Sequence, residues 1–184
     1  NMLISEEFGQ YFVRLPLKKA AKIVNGNALR VNWEEVVPKN ELSYIIGNPP
    51  FLGGKYQSKG QKEDMKFVAG KIKGFGVLDY VAAWYILTAQ YIQETEIKAA
   101  FVSTNSIAQG EQVGILWNEL FHNYSIKIHF AHRTFNWKNE AKGNAAVHVV
   151  IIGFANYDVK NKSIFEYEDI NAVPHEIKAK NINP

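Results

Sequence analysis

The sequence contains no cysteine among its 184 residues. Disulfide bridges and thiolate-bound metals are therefore excluded as sources of stability or chemistry. No apolar run approaches the ~18 residues that a membrane-spanning helix needs, and the first residues lack the basic, apolar and small-residue succession of a secretory signal. We therefore expect a cytoplasmic protein with no membrane partner.

Two further motifs are missing. None of the five histidines has a second ligand at metal-binding spacing, so no metal site is predicted, and no Walker-type phosphate loop occurs. The net charge is only +3, so any attraction to nucleic acid must come from where the lysines lie. What is present is 47% hydrophobic and 21% charged residues, which suits one globular domain with a sizeable core.

Strand and helix patterns alternate along the chain, which predicts an α/β fold. Helical periodicity covers 79–93, with Asp79 as the N-cap, and 109–124. The segment 52–76 holds six Gly and six Lys and predicts a long, flexible loop with one helical turn near 62–67. The predicted strands are ALRV (28–31), SYIIG (43–47), IKAAFVST (97–104), SIKIHFAH (125–132), AAVHVVIIGFA (145–155) and SIFEYED (163–169).

The run SYIIG stops on Asn48, Pro49, Pro50 and Phe51, as a buried parallel strand does where it meets an exposed loop. Ligands of open α/β sheets bind at such carboxyl ends, so these four residues are candidate catalytic residues. The pattern fits methyl transfer to the exocyclic amine of a base, because the Asn48 amide oxygen and the Pro49 carbonyl can accept its two hydrogens. The prolines present no competing N–H, and Phe51 offers a face on which a flipped base can stack. The plainer alternative is a turn with a core aromatic.

These residues resemble motif IV of amino-methyltransferases that use S-adenosylmethionine, a tetrapeptide shared by DNA adenine N6, protein-glutamine and some RNA enzymes. The segments GNALRVNW, LDYVAAWY, FVSTNSIAQGEQV and FAHRTFNWKNEAKGNAAVHVVIIGF together resemble the DNA adenine methylase core of large single-chain type II (IIG-like) restriction-modification enzymes. The resemblance covers about residues 10–184. It implies S-adenosylmethionine as cofactor and double-stranded DNA with a flipped adenine as partner.

The resemblance also implies roles for further residues. A second aromatic stacks on the base, and we expect this to be Phe135, with Trp137 as the alternative. Asn32 stands where the family often has an acidic residue that binds the cofactor's adenine, although it also suits a plain turn. Asn105 and Gln109 would line the same rim, with helix capping as the rival explanation.

Six lysines lie in the predicted loop beside the proposed pocket. They are expected to contact DNA phosphates, Lys55, Lys59 and Lys62 foremost, although solvated loop lysines are the commoner case. The others are Lys66, Lys71 and Lys73.

The family's cofactor pocket needs a glycine-containing loop after the first strand and an acidic residue after the second, and neither precedes Asn48. The family's strand order is 3-2-1-4-5-7-6, so SYIIG, as strand 4, would lie beside strand 1. Without strands 1 and 2, SYIIG lacks this neighbour. We therefore expect a piece of a longer protein: a partial Rossmann-like S-adenosylmethionine-dependent methyltransferase sheet over 1–155, lacking the first strands, and the start of a connection to a target-recognition region over 156–184. The absent cofactor motifs predict that the isolated chain is inactive, and the bare edge predicts that it forms a homodimer or folds its N-terminal segment onto that edge.

Three functions are compared below. The first is part of a site-specific DNA adenine N6-methyltransferase in a restriction-modification or phage-defence protein. The second is an RNA or protein-glutamine N-methyltransferase, and the third is a non-catalytic DNA-binding module.

Overall fold

The computed structural model describes residues 21–137, 147–169 and 172–183. In these ranges short 3₁₀ turns join the longer elements. The helices are α1 (Trp33–Val36), α2 (Lys59–Ala69), α3 (Ala82–Tyr91) and α4 (Glu111–Asn123), and the strands are β1 (Tyr44–Gly47), β2 (Lys98–Thr104), β3 (Lys127–Trp137), β4 (Val147–Ala155), β5 (Lys162–Glu166) and β6 (His175–Ala179).

The described strands form one six-stranded sheet in the order β1-β2-β4-β3-β5-β6. β1 is parallel to β2, while β4 is antiparallel to both β2 and β3. The strands β1, β2 and β3 therefore end at the same edge of the sheet. The α/β prediction is confirmed, and β1-β2-β4-β3 matches the 4-5-7-6 half of the expected strand order.

The core lies between α3, α4 and one face of the sheet. Tyr85 of α3 is fully buried, stacks on Phe154 of β4 at 5.3 Å between ring centroids, and meets Phe101 and Trp117 edge-on. Its hydroxyl lies 2.8 Å from the Ser103 hydroxyl, so the buried polar group is satisfied. Because α3 is apolar on nearly every side, it fills the centre of this layer.

The strand predicted at 43–47 exists and is parallel, but it is not buried. Tyr44 and Ile46 are 63% and 80% exposed. In the described part of the chain, β1 has a hydrogen-bonded neighbour on one side only, which is β2. The apolar run therefore marks an edge strand whose second side and outer face are open.

The predicted strand at 28–31 is wrong, because these residues form a turn. Asn27 directs the turn: its side-chain oxygen accepts from the Leu29 N–H at 3.0 Å, and its backbone carbonyl accepts from the N–H groups of Arg30 and Val31. An asparagine that bonds its own backbone two residues on competes with strand pairing. Leu29 turns inward as a result and is 1% exposed.

The prediction of a flexible loop with one helical turn at 52–76 is wrong in its middle part, because Lys59–Ala69 forms the eleven-residue helix α2. Ser58 and Gln61 form a reciprocal capping box at its start, with Gln61 N–H donating to Ser58 Oγ and Ser58 N–H donating to Gln61 Oε1. This local signal outweighs the glycines and lysines around it.

Helix α1 was not predicted, and the remaining helices and strands other than α2 and β6 agree with the predictions apart from their ends. α3 begins at Ala82, with Asp79 capping the turn before it through the Val81 N–H. β6 was not predicted; it pairs with β5, which pairs with β3, so 162–179 extends the same sheet. The domain boundary at 155 stays a prediction. None of the helices in the described ranges is both long and apolar enough to span a membrane.

Candidate active site

The Asn-Pro-Pro-Phe turn, residues 48–51, follows β1 directly at the edge where β2 and β3 also end. Asn48 and Pro50 are exposed, whereas Pro49 is buried. Phe51 is half-buried and packs against the core. The turn therefore presents the Asn48 amide to solvent, while the buried Pro49 and the half-buried Phe51 anchor the turn to the core.

The residue after this turn is held at both of its backbone polar groups. The Leu52 N–H donates to Asp79 Oδ1 at 3.0 Å. Its carbonyl accepts from the Tyr80 N–H at 2.9 Å and from Gln57 Nε2 at 3.2 Å. Gln57 is buried and also donates to the Leu78 carbonyl. We did not predict this clamp, since Asp79 was expected only as a helix cap and Gln57 carries no motif.

The predicted second aromatic lies in a group of rings that we call the aromatic block. Phe135 stacks on Tyr167 at 5.1 Å between centroids, and His132 stacks on Phe165 at 4.3 Å. His132 Nδ1 lies 2.9 Å from the Tyr167 hydroxyl, and burial lowers the pKa of His132. The block consists of Phe130, His132, Phe135, Trp137, Phe165 and Tyr167.

Phe135 and Trp137 differ in how free their rings are. One face of Phe135 is covered by Tyr167, whereas Trp137 is 38% exposed at the end of β3. Strands β1 and β3 are three positions apart in the sheet, about 14 Å at the usual strand spacing. The two aromatics therefore share the sheet edge with Asn48 without adjoining it in the sheet.

Asn32 is the N-cap of α1. Its side-chain oxygen accepts from the Glu34 N–H at 3.2 Å, and its Nδ2 donates to Glu35 Oε1 at 3.0 Å. Both ends of the amide are thus occupied within the chain, and the cofactor role predicted for Asn32 stays untested.

Asn105 and Gln109 lie after β2, at the same edge as the Asn-Pro-Pro-Phe turn. Asn105 opens a 3₁₀ turn, and Gln109 is exposed. The N-cap position of α4 is Gly110, and no side chain caps this helix. Capping of α4 therefore does not account for Asn105 or Gln109. Their predicted place on the rim is compatible with this position.

All six predicted lysines are exposed, and none forms an ion pair with the residues that the structure describes. Lys59, Lys62 and Lys66 lie on one side of α2, at i, i+3 and i+7. The opposite side is buried around Asp64 and Met65. These three lysines therefore belong to a helix face and not to a loop, whereas Lys55 lies in a 3₁₀ turn and Lys71 and Lys73 follow α2.

Asp64 fixes α2 to its surroundings. Its carboxylate accepts from Asn27 Nδ2, Arg30 Nε and the Tyr80 hydroxyl at 2.7–2.8 Å. Burial alone would raise the pKa of Asp64, but these hydrogen bonds outweigh it and lower the pKa. The direction in which the lysine face points is thereby set by a charged, buried contact.

The sheet order, the helices on one face and the turn after β1 define the class: this is a mixed α/β sheet like those of the methyltransferase domains of restriction enzymes. A family model described as "MmeI, DNA-methyltransferase domain" matches residues 1–166. The chain belongs to this family of DNA-methyltransferase domains.

Individual relatives agree with this family assignment. DNA methyltransferase A of Bacillus subtilis (strain 168) is 53% identical over 154 residues, which cover 82% of this chain and 17% of that protein. The solved structure of the type IIL restriction-modification enzyme MmeI in complex with DNA is 55% identical, with a TM-score of 0.87, over 99% of this chain and 24% of that one. The type IIG restriction endonuclease BpuSI shares the fold, with a TM-score of 0.57 at 13% identity over 84% of this chain and 20% of that one. The chain thus spans less than a quarter of the length of these relatives.

Proposed function

We propose that this chain carries the catalytic centre of a site-specific DNA adenine N6-methyltransferase within a restriction-modification or phage-defence protein. The observation that carries the proposal is the exposed Asn48 amide on an anchored turn at the carboxyl end of β1, in a member of a DNA-methyltransferase-domain family. The full-length protein would act on double-stranded DNA. The isolated chain would show no measurable methyl transfer.

In the proposed mechanism, the amine of a flipped adenine donates its two hydrogens to the Asn48 side-chain oxygen and the Pro49 carbonyl. Removing the nitrogen lone pair from conjugation with the ring makes the amine nucleophilic. Pro49 and Pro50 present no N–H that would compete, and Phe51 stacks on the base, an interaction worth about 1–3 kcal/mol. Neutral Asn48 is too weak a base to take the proton first, so the surplus proton leaves after transfer.

S-adenosylmethionine would supply the methyl group, bound beside Asn48. A shallow depression of about 430 Å³ adjoins this residue. Its lining is mainly apolar, with Asn48 the one polar side chain, which suits the methyl-bearing end but not the cofactor's charged and hydroxylated parts. The described residues thus fit part of the cofactor, and the rest of the site would come from other parts of the full-length protein, with Asn32 as the predicted contact in this chain.

Lys55, Lys59 and Lys62 would contact DNA phosphates. The place of Lys59 and Lys62 on one face of α2 supports this role, because both side chains are exposed and form no ion pair with the described residues. Lys55 is exposed in the 3₁₀ turn before α2. The RNA and protein-glutamine alternatives use the same tetrapeptide, but the family and the most similar relatives above are named for DNA. A non-catalytic DNA-binding module would give no heat when the full-length protein is titrated with S-adenosylmethionine.

The open edge of β1 supports the proposed homodimer of the isolated chain. Ile46 and Tyr44 are largely exposed there, and on that side no strand of the described ranges pairs with the backbone of β1. Sedimentation of the isolated chain tests this, and a monomer at all concentrations would leave only the alternative that the N-terminal segment covers the edge.

The proposal is tested by Asn48→Ala in the full-length protein, assayed with labelled S-adenosylmethionine on DNA, RNA and a glutamine-containing peptide. We expect DNA methylation to fall about 100-fold or more, the usual loss when one preorganised hydrogen-bonding group is removed. Nucleoside mass spectrometry should show N6-methyladenine as the product. Asn118→Ala, at an exposed position of α4, is the control and should leave activity unchanged. Undiminished methylation by Asn48→Ala would refute the mechanism.

A further inference from the structure

The Asn-Pro-Pro-Phe turn is exposed at two of its four residues and so cannot be held by packing alone. Two acceptors that bind an amine must keep their spacing, since a displacement of about 1 Å can cost about 100-fold in rate. The turn is therefore expected to need a support from outside itself. The structure offers one at the next residue, Leu52.

The Leu52 N–H donates to the carboxylate of Asp79, a residue 27 positions later in the chain. Asp79 is 4% exposed, so this hydrogen bond is shielded from water. The same oxygen, Oδ1, accepts from the Val81 N–H at 3.1 Å. A helix cap would explain the second bond but not the first.

Asp79 also joins the two elements that follow. Its Oδ2 accepts from the Thr104 hydroxyl at 3.3 Å, at the end of β2. Its backbone N–H donates to Gln112 Oε1 of α4 at 2.7 Å. One buried side chain and its own peptide thus tie the segment after the turn to α3, β2 and α4, which are parts of the rigid core.

We propose that Asp79 is a positioning residue for methyl transfer, acting through the Leu52 backbone to hold Asn48 and Pro49 in the spacing that the amine requires. This inference rests on the proposed function, because it concerns how that same site is held. It assigns Asp79 no contact with DNA or cofactor. Gln57, which donates to the Leu52 carbonyl, supports the same residue from the other side.

Two substitutions in the full-length protein separate this role from helix capping. Asp79→Ser keeps a hydroxyl that can cap the Val81 N–H but is too short to reach Leu52 as well. Asp79→Asn keeps the oxygen that serves both amides, and the Thr104 hydroxyl can rotate to accept from the new NH₂. Single-turnover methylation at saturating DNA and cofactor is the measurement, together with the Kd of each ligand.

We expect Asp79→Ser to lower the rate constant about 100-fold, with both Kd values unchanged. Asp79→Asn should stay within about tenfold of the unsubstituted protein, since the Leu52 and Val81 N–H groups keep their acceptor oxygen, with weaker bonds to a neutral amide. Lys162→Ala is the control, because Lys162 is also buried and paired, with Asp158, but lies at the start of β5, toward the opposite side of the sheet from residues 48–52. It should lower the unfolding temperature without changing the rate constant.

A normal rate constant for Asp79→Ser, or equal losses for Ser and Asn, would overturn the inference. An equal loss for Lys162→Ala would do so too, since the effect would then be general destabilisation. Asn48→Ala, measured in parallel, separates the two hypotheses. If Asn48→Ala stays active, the proposed function fails; if it is inactive while Asp79→Ser is active, only the positioning role fails.

Discussion

Two regions at the same edge of the sheet are fixed by different physical means. The Asn-Pro-Pro-Phe turn is held through backbone hydrogen bonds from buried polar side chains, chiefly Asp79 and Gln57. The aromatic block is held by ring stacking between β3 and the residues of and after β5. Directional bonds fix a spacing to a few tenths of an ångström, whereas stacked rings tolerate sliding. We infer that the turn serves the proposed methyl transfer and that the block serves recognition of the flat face of a base.

The largest expected effect comes from disturbing the aromatic block at its base. Gly153 on β4 pairs with Phe130, and a Cβ at this glycine would lie 2.0 Å from the Phe130 ring. Gly153→Ala must therefore displace the ring from the sheet. We expect the free energy of unfolding to fall by about 1–3 kcal/mol, as for other overpacked sites, measured by urea unfolding.

Gly114→Ala is the control for this substitution. Gly114 lies within α4, and a Cβ there meets no atom within 4 Å outside the helix's own backbone. Alanine should stabilise this helix by up to about 1 kcal/mol. Changes of opposite sign in the free energy of unfolding would establish that the Phe130 ring requires a residue without a Cβ at position 153. Equal changes for the two alanines would contradict this.

The contrast between the regions also explains what could be predicted from the sequence. Apolar runs at 43–47, 97–104 and 147–155 revealed strands because their signal is local. The clamp on Leu52 was not predictable, since Asp79 and Leu52 are 27 residues apart and nothing local links them. The exposure of β1 depends on which strands lie beside it, which the pattern SYIIG does not encode. The turn at Asn27 and the capping box at Ser58 were local signals that we did not recognise.

The next effect distinguishes the two rings predicted to stack on the base. Phe135 is already stacked on Tyr167, whereas Trp137 is partly exposed, so the geometry favours Trp137 as the ring available to DNA. In the full-length protein, Trp137→Ala should weaken binding of cognate DNA about tenfold, within the 1–3 kcal/mol of a base–aromatic stack. Phe135→Ala should instead lower thermal stability.

Fluorescence of 2-aminopurine at the target adenine provides the measurement, because stacking quenches it. We expect Trp137→Ala to raise the fluorescence and Phe135→Leu, which keeps much of the apolar volume, to leave it unchanged. The opposite pattern would restore Phe135 as the stacking residue and indicate that the ring leaves Tyr167 when DNA binds.

The smallest effect is a difference in acid sensitivity between the aromatic block and the contacts of Asp64 in α2. Burial lowers the pKa of His132 in the aromatic block, so the unfolded chain binds a proton more readily than the folded one. The stability that neutral His132 provides is therefore complete above the unfolded pKa of about 6.5 and declines as the pH falls toward the lower folded value. In α2, the pKa of Asp64 is lowered, so the stability that its carboxylate provides is complete above about pH 3.9 and is lost only below that pH.

Between pH 7 and pH 5, the aromatic block should thus lose stability while the contacts of Asp64 keep theirs. His132→Gln removes the titrating group while keeping a side chain that can bond the Tyr167 hydroxyl. The pH dependence of the unfolding midpoint in this range should become shallower in the variant, whereas His122→Gln, at an exposed position of α4, should leave it unchanged. An unaltered slope in His132→Gln would mean that the ring is freely protonated in the fold, and the block would then be looser than the stacking distances imply.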